Sequence, residues 1–319
     1  MKINLVTIFL FAVSLGLHAQ KIDHMVSFRD IQSERYFRFS YDNDFFTATD
    51  QNYTQGYNFE LVSPLFRKNP VNNLFFKPAS SSKKYGLSWE HIGFTPGNIG
   101  SPEIQRDDRP FASAIMLKSF MIATQPLKKS RFTSALNLGV LGPAAFGKEM
   151  QTEIHKVTGN IIPQGWRNQI QNQVVINYEL GYEKQLLAYR DFFSFQSNTS
   201  FRLGSLFTDA SLGGNFMLGL LSTPFISEYK NKFQLYVYGQ ALVKAIGHDA
   251  TLQGSIFSKN KSPYVISSDK IARWRTEANY GLVLKVRGMY FEYSQAFQSK
   301  EFEGADFYRW GGLKVWFVF

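Results

Sequence analysis

"GGLKVWFVF", residues 311–319, closes the chain, and its alternation decides the fold. Leu313, Val315, Phe317 and Phe319 share one face while Lys314 falls on the other, which is the two-residue period of a β-strand. The same period recurs upstream. Phe37, Phe39 and Tyr41 alternate with Arg38, Ser40 and Asp42; Tyr57, Phe59 and Leu61 with Asn58 and Glu60; Tyr85, Leu87 and Trp89 with Gly86, Ser88 and Glu90. Ile176, Tyr178, Leu180 and Tyr182 alternate with Asn177, Glu179 and Glu183, and Tyr280, Leu282, Leu284 and Val286 share a face opposite Lys285. Charged residues opposite aromatic ones, strand after strand, suit a barrel with lipid outside and a polar lumen.

A soluble β-sandwich also alternates, so the rest of the chain has to separate the two. The first twenty residues, "MKINLVTIFLFAVSLGLHAQ", run from Lys2 through an apolar stretch to small Ala19, the order of a secretory signal peptide cleaved after Ala19. Past Ala19 no apolar run is long enough for a membrane helix, so a membrane protein of this sequence spans with strands. The terminal Phe319 on an alternating strand resembles the C-terminal signature of bacterial outer-membrane barrels, and 16 % aromatic residues, with 31 Phe, fit interfacial girdles. With no cysteine in the chain, disulfides are excluded as the staple of an exported fold. The expectation is a signal peptide over 1–19 and a single all-β transmembrane antiparallel barrel over 20–319.

Turn signals divide the chain into twelve expected strands, over 34–43, 54–64, 84–94, 110–122, 131–140, 173–186, 190–203, 207–221, 232–246, 270–286, 289–298 and 308–319. An even number suits a bacterial barrel with both termini on the periplasmic side. The connections 44–53, 95–109, 141–172, 204–206, 247–269 and 299–307 then face the exterior.

The third of these, "GVLGPAAFGKEMQTEIHKVTGNIIPQGWRNQIQNQ", is too long for a plain hairpin loop. Pro143 suits a first helical turn and Gly159 a C-terminal cap, so a short helix is expected from Pro143 to Val157. On it Gln151 and His155 sit at i and i+4, one face of a helix, with Lys148 a turn earlier. His24, His91 and His248 read as ordinary structural histidines. His155 differs because its loop converges on the same side as Asp44, Thr54 and the Asp107-Asp108-Arg109 cluster.

Four ordered pieces carry a resemblance: "DNDFFTATDQNYTQG", "DDRPFASA", "LGVLGPAAFGKEMQTEIH" and "GWRNQIQNQ". In order and spacing they resemble the LpxR-like outer-membrane lipid A deacylase family, twelve-stranded barrels that remove an acyloxyacyl chain from lipid A with calcium. The resemblance implies that Asn43 and Asp44 are the family's Asn-Asp pair, with Asp44 supplying oxygen to Ca2+. It also implies that Thr54 is the active-site hydroxyl and His155 the base. The chain departs from some members at Ile161, where they carry Glu, and in "GSPEIQRDD", where they carry a Lys-Arg pair.

These residue types make chemical sense together. Ester hydrolysis needs a base near neutral pH, the range in which a histidine side chain ordinarily titrates, and a hard Ca2+ can act as Lewis acid on the oxyanion. The net charge of +10 favours a phosphorylated glycolipid. Lys148, Lys156 and Arg167 in the third loop and Arg106 and Arg109 in the second are the candidate phosphate contacts, most of them expected to be ordinary solvated charges. The expected partner is lipid A or lipopolysaccharide in the outer leaflet. Two other readings stand beside this one: a phospholipase-type esterase with a Ser nucleophile, for which Ser113 is a candidate, and a non-catalytic porin or structural barrel.

Overall fold

A computed structural model describes residues 24–44, 52–225, 232–257 and 262–319; the expected signal peptide over 1–19 lies outside them. The strands are β1 (Tyr36–Asn43), β2 (Asn52–Val62), β3 (Ser82–Thr95), β4 (Ala112–Gln125), β5 (Ser130–Leu141) and β6 (Gln173–Tyr189). They continue with β7 (Phe193–Gly204), β8 (Phe207–Leu220), β9 (Phe233–Asp249), β10 (Trp274–Val286), β11 (Met289–Gln298) and β12 (Tyr308–Val318). Each pairs antiparallel with its sequence neighbours, and β1 pairs with β12 from Tyr36↔Val318 to Asn43↔Gly311, closing the barrel. Closure satisfies every edge, and the twelve strands expected from alternation are the twelve observed.

Side-chain direction follows the pleat. In β1, Tyr36, Arg38, Ser40 and Asp42 are buried in the lumen while Phe37, Phe39, Tyr41 and Asn43 face outward. The outer wall carries Leu117, Leu138, Leu212 and Leu282 among its exposed residues, an apolar surface far beyond what a soluble domain leaves open. No helix among the described residues is long and apolar enough to cross a membrane.

Polar groups inside are matched with one another. Arg38 donates to Glu60 at 2.6 Å, Lys118 to Glu179 at 3.0 Å, Arg131 to Glu183 at 2.9 Å, and Lys314 lies 3.3 Å from Glu292. At the rim of the long connections, Arg275 lies 3.0 Å from Asp249 and 3.2 Å from Glu301, closing that end of the lumen.

Sequence reading gave residues before β1 no role, yet they fill the lumen. Phe28 is fully buried and stacks on Tyr238 with ring centroids 4.0 Å apart. Arg29 reaches Glu292 at 2.9 Å, the Phe28 carbonyl accepts from the Tyr236 hydroxyl, and the Met25 carbonyl from Arg131. Burial alone would raise the Asp30 carboxyl, but Lys84 and Arg131 beside it hold its pKa below the ordinary 3.8. This segment and the ion pairs around it occupy part of the lumen.

The helix expected from Pro143 to Val157 is observed in two pieces, broken at Phe146, whose φ is 58°. A 3-10 turn over Pro143–Ala145 leads into helix α1 (Gly147–Thr158). Gly159 caps α1 at φ 72°, a left-handed conformation that glycine adopts without strain.

Candidate active site

The first hairpin supplies one half of the site. Register in β1 and β2 runs to Asp42↔Gly56, and Asp44 and Thr54 lie just past this last pair. Asp44 is buried, one residue past the end of β1, and interacts electrostatically with the Tyr41 hydroxyl. Simple alternation puts Asp42 and Asp44 on the lumen side and Asn43 toward lipid, so a bulge or the strand end near Asn43 is expected to let both Asn43 and Asp44 face inward. The structure differs: β1 pairs with β12 without interruption through Asn43, whose amide donates outward to the Tyr41 hydroxyl at 2.9 Å.

The bulge lies in the facing strand. Between Tyr53↔Phe94 and Gln55↔Gly93 the β2–β3 register shifts by one, leaving Thr54 as the extra residue. An inserted residue breaks strict alternation, so Thr54 and Gln55 both turn to the outer face while Tyr53 packs inward against Phe94 and Trp310. Thr54 Oγ1 meets Thr95 Oγ1 at 2.5 Å, and Gln55 lies over Gly93. Asn43, Tyr41, Thr54 and Thr95 therefore gather on the outer wall of the barrel rather than in its lumen.

Helix α1 supplies the other half, on the same wall. Ser113 of β4 points outward, and a Cβ on Gly147 would stand 2.5 Å from its Oγ and 2.7 Å from the Trp166 ring. Only glycine allows α1 to start so close to the strand. Gly147, Gln151 and His155, at i, i+4 and i+8, form the buried face of α1. Trp166 Nε1 donates to Gln151 Oε1 at 2.7 Å, so the "GWRN" turn braces the helix from behind. His155 Nδ1 stands 2.6 Å from the Ile161 carbonyl. A carbonyl only accepts, so Nδ1 carries the proton and Nε2 is left as the acceptor of the ring.

β3 joins the two halves. His91, which the sequence placed among ordinary histidines, faces outward beneath the third connection, with Nε2 2.9 Å from the Ala145 carbonyl and its ring 6.4 Å from Tyr57. Thr95 holds Thr54 on one side and His91 holds the approach to α1 on the other. No sequence signal pointed to His91, because its role depends on a loop more than fifty residues away folding back over the wall.

The phosphate candidates divide. Arg109 is buried with Nη1 2.7 Å from Glu301 and its guanidinium over the Phe94 ring. It is a structural cation of the lumen cap, which corrects its assignment as a phosphate contact: its charge is already neutralised and shielded from lipid. Lys156 pairs with Glu153 at 2.7 Å and Arg167 lies 3.7 Å from Glu103, all exposed. Lys148 and Arg106 are exposed on the same rim. Ser113 is fully buried under Gly147, two helical turns or about 12 Å along α1 from His155, so it serves as a seat for the helix and not as an accessible nucleophile.

The oxygens at this end of β1, β2 and β3 are hard ones: the Asp44 carboxylate, the Asn43 amide oxygen and the Thr54 and Thr95 hydroxyls. Such a set suits Ca2+ and not a soft metal. Among the described residues no three His, Cys, Asp or Glu side chains converge on a metal position, and Asp44 is the carboxylate that would hold a calcium ion here.

The sequence matches the family model described as "Outer membrane protein LpxR" over residues 5–319. Among solved structures the fold is similar to LpxR from Salmonella typhimurium, with a TM-score of 0.72 at 18 % identity, covering 89 % of this chain and 100 % of that one. The β domain of the Bordetella autotransporter BrkA aligns at 8 % identity with a TM-score of 0.45, over 90 % of this chain and 99 % of that one. No curated protein matches.

Proposed function

The chain belongs to the LpxR outer-membrane protein family, and from that footing we propose how its outer-wall site works. The family comprises lipid A deacylases, so this chain is an ester hydrolase of the outer membrane, and membership implies 3'-O-deacylation of lipid A. The finer reading is that His155 is the general base, acting on water through Nε2, while Asn43, Asp44 and Thr54 orient the ester and its surroundings. The observation that carries it is the 2.6 Å contact of His155 Nδ1 with the Ile161 carbonyl. That contact fixes the tautomer in which Nε2 accepts a proton, on the face of α1 turned to the barrel wall.

Each residue has a defined task. His155 Nε2 takes the proton of a water as the water oxygen attacks the acyl carbonyl, then returns it to the departing sugar or acyl oxygen. The Ile161 carbonyl stabilises the imidazolium formed in between by accepting from Nδ1. Thr54, held by Thr95, and Asn43, held by Tyr41, present polar groups to the ester from the wall. Asp44 would hold Ca2+, together with neutral oxygens of the strand end; the ion supplies Lewis-acid stabilisation of the oxyanion when bound. Lys148 and Arg106 are the exposed cations that suit the lipid phosphates.

Placement on the outer wall favours this reading over a lumenal enzyme. Lipid A packs laterally against a barrel and does not enter it, so a site under α1 meets the ester bond where the lipid already lies. Mass spectrometry of lipid A from outer membranes carrying the protein tests it: loss of one acyl mass in the presence of Ca2+ is expected, abolished in His155→Ala. Unchanged lipid A with a folded wild-type barrel sinks the assignment. Asp44→Ala should lose activity and Ca2+ dependence together, and an active variant that still needs Ca2+ refutes Asp44 as a ligand.

A further inference from the structure

Helix α1 carries a second face that catalysis does not use. Met150, Ile154 and Val157, at i, i+4 and i+7, form an apolar stripe about a quarter turn from the buried Gly147-Gln151-His155 face. Phe146 precedes the first turn and Ile161 follows the Gly159 cap, extending the stripe at both ends. Phe146 is 59 % exposed, Val157 87 % and Ile161 68 %, while Met150 and Ile154 are half-buried. The remaining positions, Lys148, Glu149, Glu153 and Lys156, are charged and exposed.

We infer that this stripe is a bilayer-contacting edge that seats α1 on acyl chains of the outer leaflet. Two observations select lipid over other occupants. First, the stripe continues an apolar wall: the loop rises between the ends of β5 and β6, whose outward residues Leu138, Val174 and Ile176 are 48 %, 65 % and 52 % exposed. Second, α1 packs against the outer face of β4 through Ser113, so it lies beside the membrane and not over the lumen mouth.

The seat reaches the base directly. Ile161 offers its side chain to the surface and its carbonyl to His155 Nδ1, so the residue at the end of the lipid contact also sets the ring. Lipid contact thereby holds α1 and the base in place together. The coupling to His155 rests on the catalytic reading above; the lipid seat stands without it.

The cysteine-free chain makes the test clean. Val157→Cys and Ile161→Cys, each carrying an environment-sensitive NBD probe, are reconstituted in vesicles of phosphatidylethanolamine and phosphatidylglycerol containing acyl-chain nitroxides. Strong quenching at both positions is expected, with a several-fold weaker effect at Lys156→Cys on the charged side. Quenching at 157 and 161 no greater than at 156 overturns the inference, as does a blue shift that appears only with rising protein density, which would assign the stripe to a second copy of the chain. A second readout uses Val157→Glu. Its turnover of bilayer-embedded lipid A should fall about tenfold through KM, while turnover of detergent-dispersed lipid A stays within about twofold; equal losses on both substrates overturn the seat. Quenched probes on a wild-type protein that leaves lipid A intact keep the seat and remove the catalytic reading instead.

Discussion

The barrel has two polar regions built on opposite logic. In the lumen, charges are numerous and matched: Arg29 with Glu292, Arg38 with Glu60, Arg109 and Arg275 with Glu301. On the outer wall under α1, charge is sparse and neutral groups dominate: Asn43, Thr54, Thr95, His91 and His155, with Asp44 at the strand end. Pairing of this kind sets these buried charges against one another. A site flanked by lipid cannot hold many charges, and reserves a few hydrogen-bonding groups for a substrate that arrives from the side. Polarity inside this barrel is largely structural; polarity on the outer wall is, on the proposed reading, what meets the substrate.

The largest expected effect separates the two regions most sharply. His155→Ala should lower lipid A deacylation at least a hundredfold, the scale of a lost general base, while the heat-modifiable shift of the folded barrel in gel electrophoresis is unchanged. A substantially active variant would return the site to the lumen. Arg38→Ala should do the reverse. It leaves Glu60 buried without its cation, a loss of about 3–5 kcal/mol, read as a lower urea midpoint with specific activity of the folded fraction kept.

Smaller changes sharpen the boundary. Thr54→Val removes the hydroxyl contact with Thr95 and should cost about 1 kcal/mol in transition-state binding or site order, several-fold in kcat/KM; full activity would reduce Thr54 to a bulge residue. His91→Phe deletes the contact with the Ala145 carbonyl and should lower activity modestly, with little change in the urea midpoint, if the role of His91 is to hold the entry to α1. The smallest effect concerns pH and the lumenal segment. Because Asp30 has its pKa lowered in the folded state, its contribution is fully present above about 3.8, the ordinary value, and is lost as pH falls below that. Protease sensitivity of the segment before β1 should therefore rise only in strong acid and stay constant from pH 5 to 8.

Much of this was legible in the chain. Alternation gave all twelve strands, because a residue in a barrel strand meets either lipid or lumen and the two solvents select opposite side chains. The helix of the third connection was legible too, from Pro143 and Gly159 at its ends and Gln151 and His155 one turn apart. Asn43 shows where such reading stops. Sequence logic kept a polar residue away from lipid and so expected a bulge or the strand end to turn it inward, whereas the structure bulges at Thr54 and leaves Asn43, the last residue of β1, outward near the rim. Arg109 failed for the complementary reason: a cation in an external connection looks available until a carboxylate from another connection, Glu301, closes on it.

The sequence by itself determined the period, the number of strands and the helix of the third connection, since each depends on neighbours within a few positions. Only the tertiary structure decided which side of the wall the site occupies, that residues before β1 fill the lumen, and that His91 reaches the approach to α1. Those outcomes depend on which distant segments meet. Ala145 over His91, Ile161 on His155 and Phe28 against Tyr238 are contacts that exist only once the barrel has closed and given each loop a surface to fold against.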